Sequence, residues 1–217
     1  ITEAKVNLVT RPAMTALSVL HFADIFQASE ATSQVLQHSP AAVEVIDRMV
    51  LDRCRESLGF AQNLSFLEGN PGAVLLVEFY GDSEAELTAK MTALRDDMAR
   101  RRLGYACVNL LDPRAQATVW SVRKSGLGLL MSIHGDAKPI PFVEDTAVAP
   151  ERLGEYVRRF DEIVRSHHTE AGYYGHASVG CLHIRPLVNL KVPQGIATMV
   201  SIAEAISDLV LEFGGAM

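Results

Sequence analysis

The stretch Tyr174–Pro186 gathers the side chains best suited to chemistry: His176, His183 and Arg185. Two neutral imidazoles beside a guanidinium suit a divalent metal and an anionic, oxygen-bearing substrate. The end of the stretch reads as a strand, with Leu182 and Ile184 on one face and His183 and Arg185 on the other. His176 stands seven residues before His183, an odd separation that sends the two rings to opposite faces of a straight strand. Gly180, preceded by the small Ser178, allows a bend or bulge that brings them together. The pattern equally fits a glycine-containing turn with two ordinary histidines.

The elements that must position these residues are legible along the chain. Thr15–Phe22 reads as a first strand, Ala23–Gln37 as a helix with a broad apolar face, and Ala41–Asp47 as a second strand followed by a short helix over Arg48–Ser57. Ala73–Tyr80 is the clearest buried strand. Asp82 and Ser83 then cap a helix over Glu84–Arg102, and Tyr105–Leu111 is the next strand. This order gives an α+β fold of ferredoxin-like split βαβ units, an antiparallel sheet with helices packed on one face. Asp112-Pro113 opens another helix, which the glycine-rich Ser125–Leu130 ends in a turn. The prolines of 135–148 favour an extended path, where Lys138 reads as a loop lysine and Glu144 and Asp145 as a solvated pair. Pro150–His168 and Gly195–Phe213 read as amphipathic helices, and Ile1–Val9 alternates like a strand.

Composition bounds the class. The chain has 217 residues, 48% hydrophobic and 21% charged, enough for one sizeable core or two small ones. A net charge of −6 with scattered Lys and Arg leaves no basic footprint for nucleic acid. No uninterrupted apolar run approaches the roughly 20 residues needed to span a bilayer. Cys54, Cys107 and Cys181 lie far apart, without a C-x-x-C pattern for zinc or an iron–sulfur cluster, and suggest a reducing compartment. The cytoplasm is the expected location, with a peripheral place on the inner membrane as a variant.

Residues 174–186 resemble the G-H-x-G-D-G-N-L-H signature of the FAD-linked oxidase family. It lies in the C-terminal domain of D-lactate, glycolate and D-2-hydroxyglutarate oxidising flavoproteins. Gly175, His176, Gly180, Leu182 and His183 fit it, whereas Ser178, Val179 and Cys181 depart from it. The form G-H-A-S-V-G-C-L-H-x-R-P is similar to a subgroup fused to an iron–sulfur portion. Further segments match in order: I-T-x-A-x-x-x-L at the start, W-x-x-R at Trp120–Arg123, and K-x-x-x-x-x-E-D-x-A-V from Lys138 to Val148.

The resemblance implies a ferredoxin-like cap over a flavin, in an enzyme that oxidises a 2-hydroxy acid to a 2-oxo acid. It implies Arg123 and Lys138, joined by Arg185, as substrate-binding cations, and Glu144 and Asp145 on the cofactor-facing side. His176 and His183 would hold a zinc, manganese or iron ion. In the family a further metal-binding Glu and the His proposed as catalytic base follow in an S-G-E-H-G segment that this chain does not contain, so no catalytic base is assigned here. Residues 1–14 are expected to close the FAD-binding domain and 15–217 to form the cap, cut short at its far end and inactive alone. Expected partners are a small 2-hydroxy acid, the N-terminal FAD-binding domain, an iron–sulfur domain or other electron-transfer partner, and a second copy in a homo-oligomer. The alternative is a ferredoxin-like ligand-binding or dimerisation module without redox activity.

Overall fold

The computed structural model describes residues 2–8 and 10–217. Fourteen elements follow in chain order: β1 (Met14–Phe22), α1 (Ile25–Leu36), β2 (Ala42–Asp47), α2 (Arg48–Glu56), β3 (Ala73–Gly81), α3 (Glu84–Arg101) and β4 (Ala106–Leu110) form the first half. The second half comprises α4 (Pro113–Met131), β5 (Lys138–Pro139), β6 (Thr146–Ala147), α5 (Leu153–Ser166), β7 (Ala171–His176), β8 (Cys181–Val188) and α6 (Pro193–Glu212). Side-chain caps start four of the helices. Asp24, Asp47, Ser83 and Asp112 each accept a hydrogen bond from a backbone N–H of the first turn, satisfying a donor that the helix itself cannot.

The strands form one antiparallel sheet in the order β4-β1-β3-β2-β7-β8-β5, with β6 also paired to β8. The first four are the split βαβ arrangement expected from the element order. One face is covered by the apolar sides of α1, α3, α5 and α6, including Val35, Met91, Phe160 and Ile206. The expectation of helices on one face needs extending. α2 and α4 cover the other face, laying Val50, Leu51, Val122 and Leu130 over Leu17, Ile46 and Leu76. Both faces of the central strands are therefore apolar, which is why β3 reads as a continuous apolar run rather than an alternating one.

Two local expectations are corrected. The helix does not end at Ser125–Leu130: α4 continues through Gly126 and Gly128 to Met131. Val122, Gly126, Leu129 and Leu130 are buried at helical spacing, and their packing overrides the roughly 1 kcal/mol that each helical glycine costs. The strand expected at the start is also missing within residues 2–8, where Val6 and Leu8 are 75% and 90% exposed. Alternation has no consequence where no neighbouring strand takes up the backbone; Ile1 and Val9 lie outside the described residues. α6 is, by length and composition, the one helix among the described residues that could cross a membrane. Here it lays Ile202, Ile206, Leu209 and Val210 on the core.

Asp47 joins three elements near the site. It ends β2, caps α2 through Val50 N (3.0 Å), and accepts from Tyr173 N of β7 (2.8 Å). Burial pushes its carboxyl up to about 7, against the pull of those N–H donors. The folded chain therefore holds a proton that the unfolded chain, with a carboxyl near 4, has released. Asp47's contribution to stability is present below about pH 4 and is lost as pH rises through about 7. Asp47→Asn should flatten this part of the stability profile, measured by urea unfolding from pH 4 to 8. An unchanged slope would count against it.

Candidate functional site

A β-hairpin builds the site. β7 ends at His176, one 3-10 turn spans Ala177–Val179, and Gly180 (φ 67°) starts the return into β8. A Cβ at Gly180 would lie 1.8 Å from the Val148 carbonyl oxygen, so glycine is required by space as well as by torsion. The register pairs Tyr174 with His183 and His176 with Cys181. His176 is two residues from Tyr174 and therefore on its face, which is also the face of His183. The odd separation is thus resolved by a hairpin rather than by a bent strand. The two imidazole centroids lie 5.1 Å apart at 78°, and the His183 ring lies 5.0 Å from that of Tyr174.

Carboxylates surround the two rings. β2 pairs with β7 through Val45–Gly175 and Ile46–Tyr174; continuing by one residue sets Glu44 against His176. Glu44 Oε1 lies 2.7 Å from His176 Nδ1, while its Oε2 accepts from Arg123 Nε at 2.8 Å and lies 2.6 Å from Nη2. Arg123 reaches this point from α4, packed on the same sheet face, and its guanidinium lies 5.1 Å from the Tyr174 ring centre. Its Nη1 has no partner among the described residues.

Asp145 Oδ1 and Glu144 Oε1 stand 2.6 and 3.5 Å from His183 Nδ1. Adjacent carboxylates in a strand would face opposite ways. These two converge because they occupy a turn before β6, with Asp145 in the left-handed region (φ 64°). Neither approach to His183 Nδ1 is aligned as a hydrogen bond, so that nitrogen is buried without an aligned partner, as is Glu144 Oε2. Ligand atoms of Glu144, Asp145 and His183 all fall within 4.8 Å of one another, close enough to share a cation.

Arg185 is buried, its side chain 4% exposed, and is taken up by Glu144 Oε2 and by the Tyr174 hydroxyl, to which Nε donates at 3.0 Å. Burial raises the Tyr174 phenol above its usual pKa, opposed by the Arg185 and Arg123 guanidiniums. Cys181 is likewise raised, first by burial and then by Asp145 and Glu44, so it sits here as a thiol rather than a soft thiolate donor. Lys138 stands apart from the cluster: β5 pairs it with Val188, and its ammonium donates to the Ile133 carbonyl at 2.5 Å.

The structure therefore brings His176, His183, Arg123, Arg185, Glu144 and Asp145 into one neighbourhood and leaves Lys138 at its margin. The pattern did not single out Glu44 or Tyr174. A carboxylate between Val43 and Val45 is a signal of sorts, but Glu44's partners lie 79 and 132 residues away, which periodicity does not reveal.

Comparison with known proteins agrees with this architecture. The D-2-hydroxyglutarate dehydrogenases of Pseudomonas putida KT2440 and Escherichia coli K12 are each 30% identical to it over 223 and 224 residues. These alignments take in 99% of the chain but 22% of each relative, so the chain spans about a fifth of their length. In structure it is similar to p-cresol methylhydroxylase with substrate bound (TM-score 0.65, 10% identity) and to 4-ethylphenol oxidase from Gulosibacter chungangensis in complex with isoeugenol (0.63, 13%). Both likenesses cover 95% of this chain and 45% of the other, and at that identity they show the fold. The family described as FAD linked oxidases, C-terminal domain, matches residues 11–217, and the chain belongs to it.

Proposed function

We propose that this chain is the substrate- and metal-binding cap of a FAD-dependent D-2-hydroxyacid dehydrogenase, which oxidises a 2-hydroxy acid to a 2-oxo acid. The observation that carries the reading is the convergence of His176, His183 and Arg123 on one sheet face, in a chain of a FAD-linked family. The names of its relatives make D-2-hydroxyglutarate the first substrate to try. Residues 1–14 lead from a FAD-binding portion and 15–217 form the cap. The flavin-facing side includes Glu144 and Asp145, and the chain alone does not turn over. An iron–sulfur portion or other electron acceptor, self-association and a cytoplasmic setting complete the proposal.

The donor set suits a divalent metal. Each imidazole turns Nδ1 toward a carboxylate, and neither Nε2 has a protein partner among the described residues. This is the arrangement in which an outer carboxylate orients a metal-ligating histidine. His176 and His183 would hold the ion through Nε2, with Glu144 and Asp145 orienting the His183 ring from its Nδ1 side. The bound groups would supply polarisation of the 2-hydroxyl, from the metal, and a hydride acceptor, from FAD. The chain's own part is to bind and orient. Arg123 offers Nη1 to the substrate carboxylate, Arg185 adds positive charge from behind Tyr174 and Glu144, and Lys138 joins by exchanging its Ile133 bond. Together they fix the acid so that its C2 hydrogen has one direction in which to leave.

Titrating zinc into the chain by calorimetry tests the metal half. One site is expected, weakened at least roughly 100-fold by His183→Ala, since loss of a ligand should cost no less than loss of an outer partner. Equal affinity in wild type and variant would remove His183 from the metal site.

A further inference from the structure

Glu44 bridges two proposed functions: one carboxylate contacts both a proposed metal ligand, His176, and a proposed substrate-binding cation, Arg123. It lies on β2, its side chain 11% exposed, beside an Arg123 side chain that is 12% exposed. Oε1 meets His176 Nδ1 at 2.7 Å and Oε2 meets Arg123 Nε and Nη2 at 2.8 and 2.6 Å. An ionised carboxylate only accepts hydrogen bonds. His176 must therefore present Nδ1–H to it, which in the neutral ring leaves the lone pair on Nε2.

We infer that Glu44 is a positioning residue: it selects the Nδ1–H tautomer of His176 and ties that ring to Arg123, fixing the metal ligand and the substrate-binding guanidinium as one unit. The inference rests on the proposed metal and substrate roles of His176 and Arg123, but its tautomer half stands on geometry alone. The pairing of β2 with β7 sets Glu44 against His176. The packing of α4 on that sheet face brings Arg123 to the second oxygen.

Glutamine is the informative replacement, because it keeps the shape but has one acceptor and one donor end. The charged Arg123 takes the oxygen, so the amide NH2 faces His176 Nδ1. That nitrogen must then accept, and the ring proton moves to Nε2, where it blocks ligation. Long-range ¹H–¹⁵N correlation on the metal-free chain reads the tautomer directly, with the His176 signals identified by their loss in His176→Gln. Wild type should show protonated Nδ1. Glu44→Gln should show protonated Nε2 and bind zinc roughly 10–100-fold more weakly.

An Nε2–H tautomer in the wild-type chain would overturn the inference without recourse to any variant, as would a folded Glu44→Gln with wild-type tautomer and zinc affinity. If the wild-type chain binds no zinc, the metal reading fails. The tautomer comparison then still decides Glu44: a switch on Glu44→Gln upholds its hold on His176, and no switch overturns it.

Discussion

Gly180→Val should lower the stability of the chain by ~3 kcal/mol or more and its melting temperature by ~6–12 °C. A β-branched residue at φ 67° is strained in any setting. Here the added Cβ would also meet the Val148 carbonyl oxygen at 1.8 Å. That oxygen is backbone, so relief requires the segment before α5 to move away from the hairpin, breaking the Val148 N to Gly180 O hydrogen bond of 3.1 Å. Because the same turn sets the approach of His176 to His183, zinc binding should weaken along with stability. A melting temperature within about 2 °C of wild type, well under the shift expected for that loss, would show that the turn tolerates what its geometry forbids.

Arg185→Met should be comparably severe, at ~3 kcal/mol by urea unfolding. Methionine keeps the aliphatic stem and removes the guanidinium, so the loss combines the charge with the Tyr174 hydrogen bond. Removing one partner of a buried ion pair strands the other, typically at 3–5 kcal/mol. The lower end applies because the Glu144 side chain is 21% exposed and keeps some access to water. The double variant Arg185→Met with Glu144→Gln should recover part of the loss, since the stranded charge is gone. If the two effects simply add, the pair is not coupled and Arg185 is free for other partners, substrate included.

These two positions also show what could be read from the chain and what could not. The split βαβ half was legible because β1 and β3 are long, nearly continuous apolar runs and α1 and α3 start at clear side-chain caps. β7 was not, since Ala-Gly-Tyr-Tyr-Gly-His contains two glycines and no branched apolar residue. It is a strand because β2 and β8 pair with it on either side, a tertiary fact. The histidines and Arg123 could be nominated from residue type and family motif. The hairpin register, the left-handed backbone of Asp145 and the reach of Glu44 across the sheet come only from folding. Arg185 illustrates the limit of residue type: a guanidinium in a binding motif reads as a ligand for an anion, and the anion it finds here is Glu144.

In the proposed enzyme this hairpin assists oxidation of a 2-hydroxy acid by flavin. The most direct test is anaerobic titration of the flavin-containing protein that carries this chain with D-2-hydroxyglutarate, D-lactate and glycolate, with and without a chelator. One D-acid is expected to bleach the flavin, and chelator or His183→Ala to abolish the bleaching. Bleaching indifferent to both would contradict the metal site, and a bound flavin that none of these acids reduces would contradict the dehydrogenase reading.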